Sequence, residues 1–200
     1  MHPKPANLRW GIPHSGRTPS GMLRKRKSLG GTTTEHDQKT KMISVTNFEP
    51  TLAASLPATF ELLRASNLVI HPSVSRIILH GSRGLAGGYR PLSDIDLSLI
   101  VDASPQPAPA NLESFLGEVL QTTCSQWQSA IEPDLAIIFE MRGCGLRCFE
   151  QIAWHDQLCT LGGVDCFGLY KVGKGFNGLV TGAGVQVKLM YPCVKIWQRA

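Results

Sequence analysis

A chain of 200 residues with 42% hydrophobic content, 20 Lys plus Arg, 15 Asp plus Glu and six Cys has the makeup of one ordinary domain with an appendage. No stretch reaches the roughly 18 consecutive apolar residues of a membrane-spanning helix, Gly has no triplet period, heptads are absent and Cys is too sparse for a disulfide scaffold. The formal charge of +5 suggests a polyanion partner only if that charge belongs to the folded part.

Residues 1–41 hold nine basic side chains and two acids, a net of +7, and the remaining 159 residues hold 11 basic and 13 acidic, a net of −2. The first segment is rich in Pro, Gly, Ser and Thr and lacks apolar periodicity, so it is expected to be a disordered basic leader. Arg24-Lys25-Arg26-Lys27 could touch an anionic surface, but a solvated leader is the expectation, and nucleic acid is not expected as a partner. Pro3, Pro5, Pro13 and Pro19 argue against an amphipathic mitochondrial presequence, and no apolar core of a secretory signal follows the basic residues. Met42 is an alternative start. The expected compartment is therefore the reducing cytoplasm, with no membrane partner and with the Cys residues as thiols. Cys144, Cys148, His155, Cys159 and Cys166 lack the paired knuckle spacing of structural zinc.

Residues 42–200 are expected to form the domain, with a strand- and Gly-rich part from about residue 160. Leu52, Leu56, Phe60 and Leu63 recur at helical spacing over 50–67, with a break expected at Pro57 and Ser55 available as a cap. Arg76 to His80 is a short apolar, β-branched strand. Residues 81–93 contain four Gly and a Pro, the composition of a loop. Asp94 to Val101 alternates, placing Ile95, Leu97, Leu99 and Val101 on one face and Asp94, Asp96, Ser98 and Ile100 on the other. A Pro-rich connector over 104–110 precedes a helix from a cap at Asn111 to about Gln126, and Asp134 to Phe139 is the third strand. Strand, helix, strand implies a sheet with helices packed on it, an α/β fold. Farther on, Leu146 to Leu158 is expected as a helix and Phe167 to Val172 and Val185 to Met190 as strands. Gly173-Lys174-Gly175-Phe176-Asn177-Gly178 lacks Walker spacing and is expected as a hairpin connection.

The chemistry concentrates between the first two of these strands. Asp94 and Asp96 on one strand face lie about 6–7 Å apart and repel by about 2.5 kcal/mol at an effective dielectric of 20. A divalent cation offsets that best, and hard oxygen ligands select Mg²⁺ or Mn²⁺. Asp134 can add a third carboxylate from the neighbouring strand. Gly81 lets a ligand approach the backbone, and Ser82 with nearby N–H groups can donate to phosphate. Three acids, metal and triphosphate are the parts of two-metal transfer chemistry. A lone D-x-D at a strand end is more often a solvated pair of acids; it gains meaning here from the loop and the third Asp.

LHGSRGLAGGYRPLSDIDLSLIV resembles the signature of the polymerase-β-like nucleotidyltransferase superfamily: an apolar residue, Gly-Ser, a loop, then Asp-apolar-Asp-apolar. The likeness covers residues 77–101 and extends to Asp134 in EPDLAIIF; the stretch from Gly87 to Asp96 is similar to aminoglycoside adenylyltransferases and to minimal antitoxin nucleotidyltransferases beside HEPN toxins. It implies a mixed sheet flanked by helices, two Mg²⁺ ions and transfer of a nucleoside monophosphate, AMP from ATP, to a hydroxyl of a protein or small molecule. By position, Asp94, Asp96 and Asp134 would be catalytic and metal-binding, and Gly81, Ser82, Arg83 and Ser93 would bind nucleotide. The alternative is a non-catalytic module of the same fold that binds a HEPN-type toxin. Only about 60 residues follow the third strand, too few for the helical domain of the drug-modifying members.

Overall fold

The computed structural model describes residues 42–101, 109–141, 146, 149, 166–181, 183 and 192–200. All of these lie in the unit Gln38–Ala200. The expected leader, the expected helix over 146–158 for the most part, the expected strand over 185–190 and most of the Cys/His cluster lie outside the described residues.

Pro57 splits the first helical pattern into α1 (Pro50–Ser55) and α2 (Pro57–Ala65). Ser55 does not cap the second helix: it ends the first, Leu56 intervenes with its N–H on the Leu52 carbonyl, and Pro57 starts α2 where a missing N–H costs nothing. The third helix, α3 (Pro109–Thr122), also begins earlier than the expected cap at Asn111, because Pro109 supplies a helical φ at the first turn. Two short strands, β1 (Ile43–Ser44) and β2 (Val69–Ile70), pair antiparallel.

The remaining strands form one mixed sheet: β3 (Val74–His80), β4 (Ile95–Val101), β5 (Pro133–Glu140), β6 (Phe167–Gly173), β7 (Phe176–Val180) and β8 (Val194–Gln198). The spatial order is β7-β6-β5-β4-β3-β8. All neighbours are antiparallel except β4 and β5, which are parallel. A parallel pair needs a long crossover, and α3 lies between β4 and β5 in the chain to provide it. Among the described residues the structure is thus mixed α/β, with a six-stranded sheet that carries helices.

Strand alternation divides the apolar residues into two cores. On one face Ile77, Leu79, Ile95, Leu97, Leu99, Val101 and Ile137 pack with Leu52 and Leu63 of the first helices and Leu116 and Val119 of α3. On the other, Ile78, Ile100, Ala136 and Ile138 pack with Leu146, Phe149, Phe167, Leu169 and Cys193. The two-sided burial of the central strands explains their near-continuous apolar runs. Among the described residues no helix is long and apolar enough to cross a membrane.

Candidate metal and phosphate site

The second core gives way to polar residues at one end of the sheet. There β3 finishes, and β4 and β5 begin side by side. The parallel register sets Asp96 directly beside Asp134, and the antiparallel register sets His80 opposite Asp96. Because partners in register share a face, these side chains emerge together, and Asp94, just ahead of β4, joins them. One carboxylate oxygen from each of Asp94, Asp96 and Asp134 lies within 4.8 Å of the other two, and all three residues are half-buried. The Ile95 N–H donates to the Glu132 carbonyl at 3.0 Å and locks the two strand starts together.

Gly81 makes this approach possible. Its φ of +69° is left-handed, and a Cβ there would collide with the Asp96 carboxylate. Gly81 was expected to admit a ligand to the backbone; the space beside it is taken instead by the Asp96 carboxylate, so the loop backbone passes directly over the acid it helps to frame. Ser82 follows, half-buried, at the first turn of the loop. The segment 82–86 forms turns rather than a helix, closed by Gly84 N–H on Gly81 O and Gly87 N–H on Gly84 O.

Arg83, expected on a phosphate, is instead turned into its own loop. Its Nε donates to the Ser93 carbonyl at 2.6 Å and its Nη2 to the Pro91 carbonyl at 2.9 Å, beneath the Tyr89 ring. The residue is buried, and its carbonyl accepts from Thr59 Oγ1 of α2 at 2.8 Å. Ser93 is likewise committed to the loop, since its Oγ accepts from the Arg90 N–H at 2.9 Å. These two residues hold the loop shut around the site rather than face into it.

Two lysines missed in the sequence complete the cluster. Lys171 of β6 reaches Asp134 Oδ2 at 2.8 Å, and Lys174 reaches Asp134 Oδ2 at 3.0 Å while also pairing with Asp94 Oδ2. Lys174 sits in the two-residue turn between β6 and β7, where it and Gly175 both have positive φ, 49° and 87°, as a type I′ hairpin requires. A hairpin lies here as expected, but its turn is shorter than the expected connection over 173–178: Phe176, Asn177 and Gly178 belong to β7, which begins directly after Gly175. The available signals were a Lys at an alternating position of an apolar strand, FGLYKVG, and a Lys-Gly turn after it.

His80 was also overlooked. Its Nε2 lies 2.9 Å from Ser98 Oγ at the floor of the cluster. Burial, reinforced by Lys171 and opposed by Asp134, lowers its pKa to about 4, so the ring is neutral at physiological pH. Asp96 moves the other way: burial, then the Asp134 charge, raises its pKa, with Lys171 opposing. Cys124 is a half-buried thiol pushed up to about 12 by desolvation, a packing residue rather than a nucleophile.

The residues fit a divalent cation. The donor set is three carboxylates, hard and all-oxygen; the Asp96 carboxylate takes the space that a side chain at Gly81 would fill; and two ammonium groups already stand on the acids, marking where positive charge is demanded. With both lysines charged, the triad keeps a formal −1. No family model, no curated protein and no solved structure matches the chain.

Proposed function

We propose that the chain is a metal-dependent nucleotidyltransferase of the polymerase-β-like superfamily, moving AMP from ATP to a hydroxyl of a protein or small molecule. The observation that carries this reading is the convergence of Asp94, Asp96 and Asp134 beneath the Gly81-Ser82 turn. Asp94, Asp96 and Asp134 would hold Mg²⁺ or Mn²⁺. Bound there, the metal supplies charge neutralisation for the triphosphate and a more acidic acceptor hydroxyl.

The chain's own residues do the rest. Gly81, lacking a Cβ, leaves room for the Asp96 carboxylate against the loop backbone, and the Ser82 hydroxyl and adjacent N–H groups offer donors to phosphate oxygens. Lys171, packed against Asp134, fixes the orientation of that carboxylate. His80 stays neutral, so it adds no competing charge beside the acids. In the transfer, the acceptor oxygen bonds to the α-phosphorus and the bond from that phosphorus to the bridging oxygen breaks. Pyrophosphate leaves with the electron pair, and the Asp134 carboxylate accepts the hydroxyl proton.

The test is transfer of label from ATP carrying it on the α-phosphate into components of a cell lysate. Asp94→Asn and Asp96→Asn are each expected to reduce transfer by about 10³-fold or more, with the protein still folded. Transfer retained by both variants would remove the metal assignment. A second reading has its own support: Lys171 and Lys174 already neutralise most of the triad, which a non-catalytic module binding a partner toxin would need for stability. A chain that binds ATP with Mg²⁺ but labels nothing would favour it.

A further inference from the structure

Lys171 and Lys174 meet the same carboxylate in different surroundings. The Lys171 side chain is 15% exposed and its ammonium lies 5.6 Å from the centre of the Phe176 ring, so it is packed in place. Lys174, at the hairpin tip, is 55% exposed and rests on the rim of the site, across Asp94 and Asp134. A divalent cation held by the triad would need those same two carboxylates. Lys174, which lies across both carboxylates and is exposed, competes with such an ion more directly than the packed Lys171, which touches Asp134 alone.

Its destination is limited by its tether. The stem is anchored in a two-residue turn directly beside the acids, so the displaced charge stays within reach of anything bound over them. A polyphosphate in that place needs a counter-charge, and Arg83 of the Gly-rich loop is buried and donates to the loop carbonyls, whereas the lysine at the hairpin tip already stands on the acids. A lysine suits the task, being a compact point charge on a flexible stem with three donors. We propose that Lys174 is the polyphosphate-binding residue of the site, a tethered cation that holds Asp94 and Asp134 together before nucleotide binds. It then passes to phosphate oxygens when a metal–nucleotide complex takes the carboxylates. This rests on the nucleotidyl-transfer reading and adds to it a binding residue and an exchange between protein and metal charge.

Exchange has a signature that a merely structural ion pair lacks: losing Lys174 should move metal affinity and nucleotide affinity in opposite directions. The full chain would be titrated with Mn²⁺ alone, followed by electron paramagnetic resonance, and with the α,β-methylene analogue of ATP at saturating Mn²⁺, followed by calorimetry. Lys174→Gly keeps a residue suited to the positive φ of the turn, and Lys174→Arg restores the charge. In Lys174→Gly, Mn²⁺ alone is expected to bind about 5-fold tighter and the analogue about 10-fold weaker, the size of one charge-assisted hydrogen bond. Lys174→Arg is expected to recover nucleotide affinity to within about 3-fold of the parent. Unchanged nucleotide affinity in Lys174→Gly, or weaker Mn²⁺ binding, would overturn the exchange while leaving nucleotidyl transfer standing. A parent chain that binds neither Mn²⁺ nor the analogue would overturn both.

Discussion

Gly81 shows how much one residue decides. Its positive φ and the missing Cβ together let the loop cross over Asp96. Gly81→Ala is expected to cost about 1–3 kcal/mol in a denaturant titration and to weaken Mn²⁺ binding, because the added methyl displaces the carboxylate. Away from the site, His71 gives a pH dependence. The Ser73 N–H at 3.1 Å and the Ser73 hydroxyl at 2.7 Å both lie on its Nδ1, which must accept, leaving the proton on Nε2 toward Glu118. Protonating Nδ1 would break that pair of contacts. Burial lowers the pKa of His71, opposed by Glu118 and assisted by Arg199. A histidine with a lowered folded pKa contributes fully above its unfolded value near 6.5, and the contribution is lost as pH falls below that. Thermal melts between pH 7.5 and 5 should therefore show falling stability in the parent chain, to which His80 contributes by the same linkage, and a flatter profile in His71→Gln with the His80 part of the slope retained.

Among the elements, β5 and β6 do the most to complete the site, and their pairing depends on a glycine. Phe139 lies opposite Gly168, and a Cβ at 168 would enter the Phe139 ring. Gly168→Val is expected to destabilise the chain by about 1–3 kcal/mol and, by shifting β6, to separate Lys171 from Asp134, which a denaturant midpoint and Mn²⁺ affinity would report. What the sequence disclosed follows from how local each signal is. The central strands and α3 announced themselves through alternation and helical spacing, and Pro57 marked the break between the first two helices. Asp94 and Asp96 were legible as a pair because strand alternation alone puts them on one face. The partnership with Asp134 needed a register that only the parallel pairing supplies. Lys171 and Lys174 were hidden because the antiparallel neighbour of β5 is chosen by contacts distant in sequence. The place of Arg83 was not legible for a similar reason: a loop arginine meets phosphate or its own carbonyls according to how the loop closes. The strands β1 and β2 have two residues each, too few to show a period.

For the molecule as a whole, the charge of +5 conceals the division that matters, +7 in residues 1–41 and −2 in the remainder. The described sheet and its acids belong to the second part. Deleting residues 1–41 is therefore expected to leave both the melting temperature and label transfer within about 2-fold or a few degrees of the full chain, comparing the two by calorimetry and by the lysate assay. The same division explains why a polyanion partner and an acidic site are compatible: metal and lysine stand between the phosphates and the carboxylates. The central claim is that the triad is a cation site bought at some expense of stability, since Asp96 is an acid whose charge is desolvated and faces another carboxylate. It is tested most directly by titrating Mn²⁺ into the parent chain and Asp96→Asn, with a thermal melt of each in the absence of metal. Mn²⁺ affinity is expected to fall by at least about 10-fold in Asp96→Asn while its melting temperature stays level or rises. An Asp96→Asn chain that binds Mn²⁺ as tightly as the parent would contradict the account.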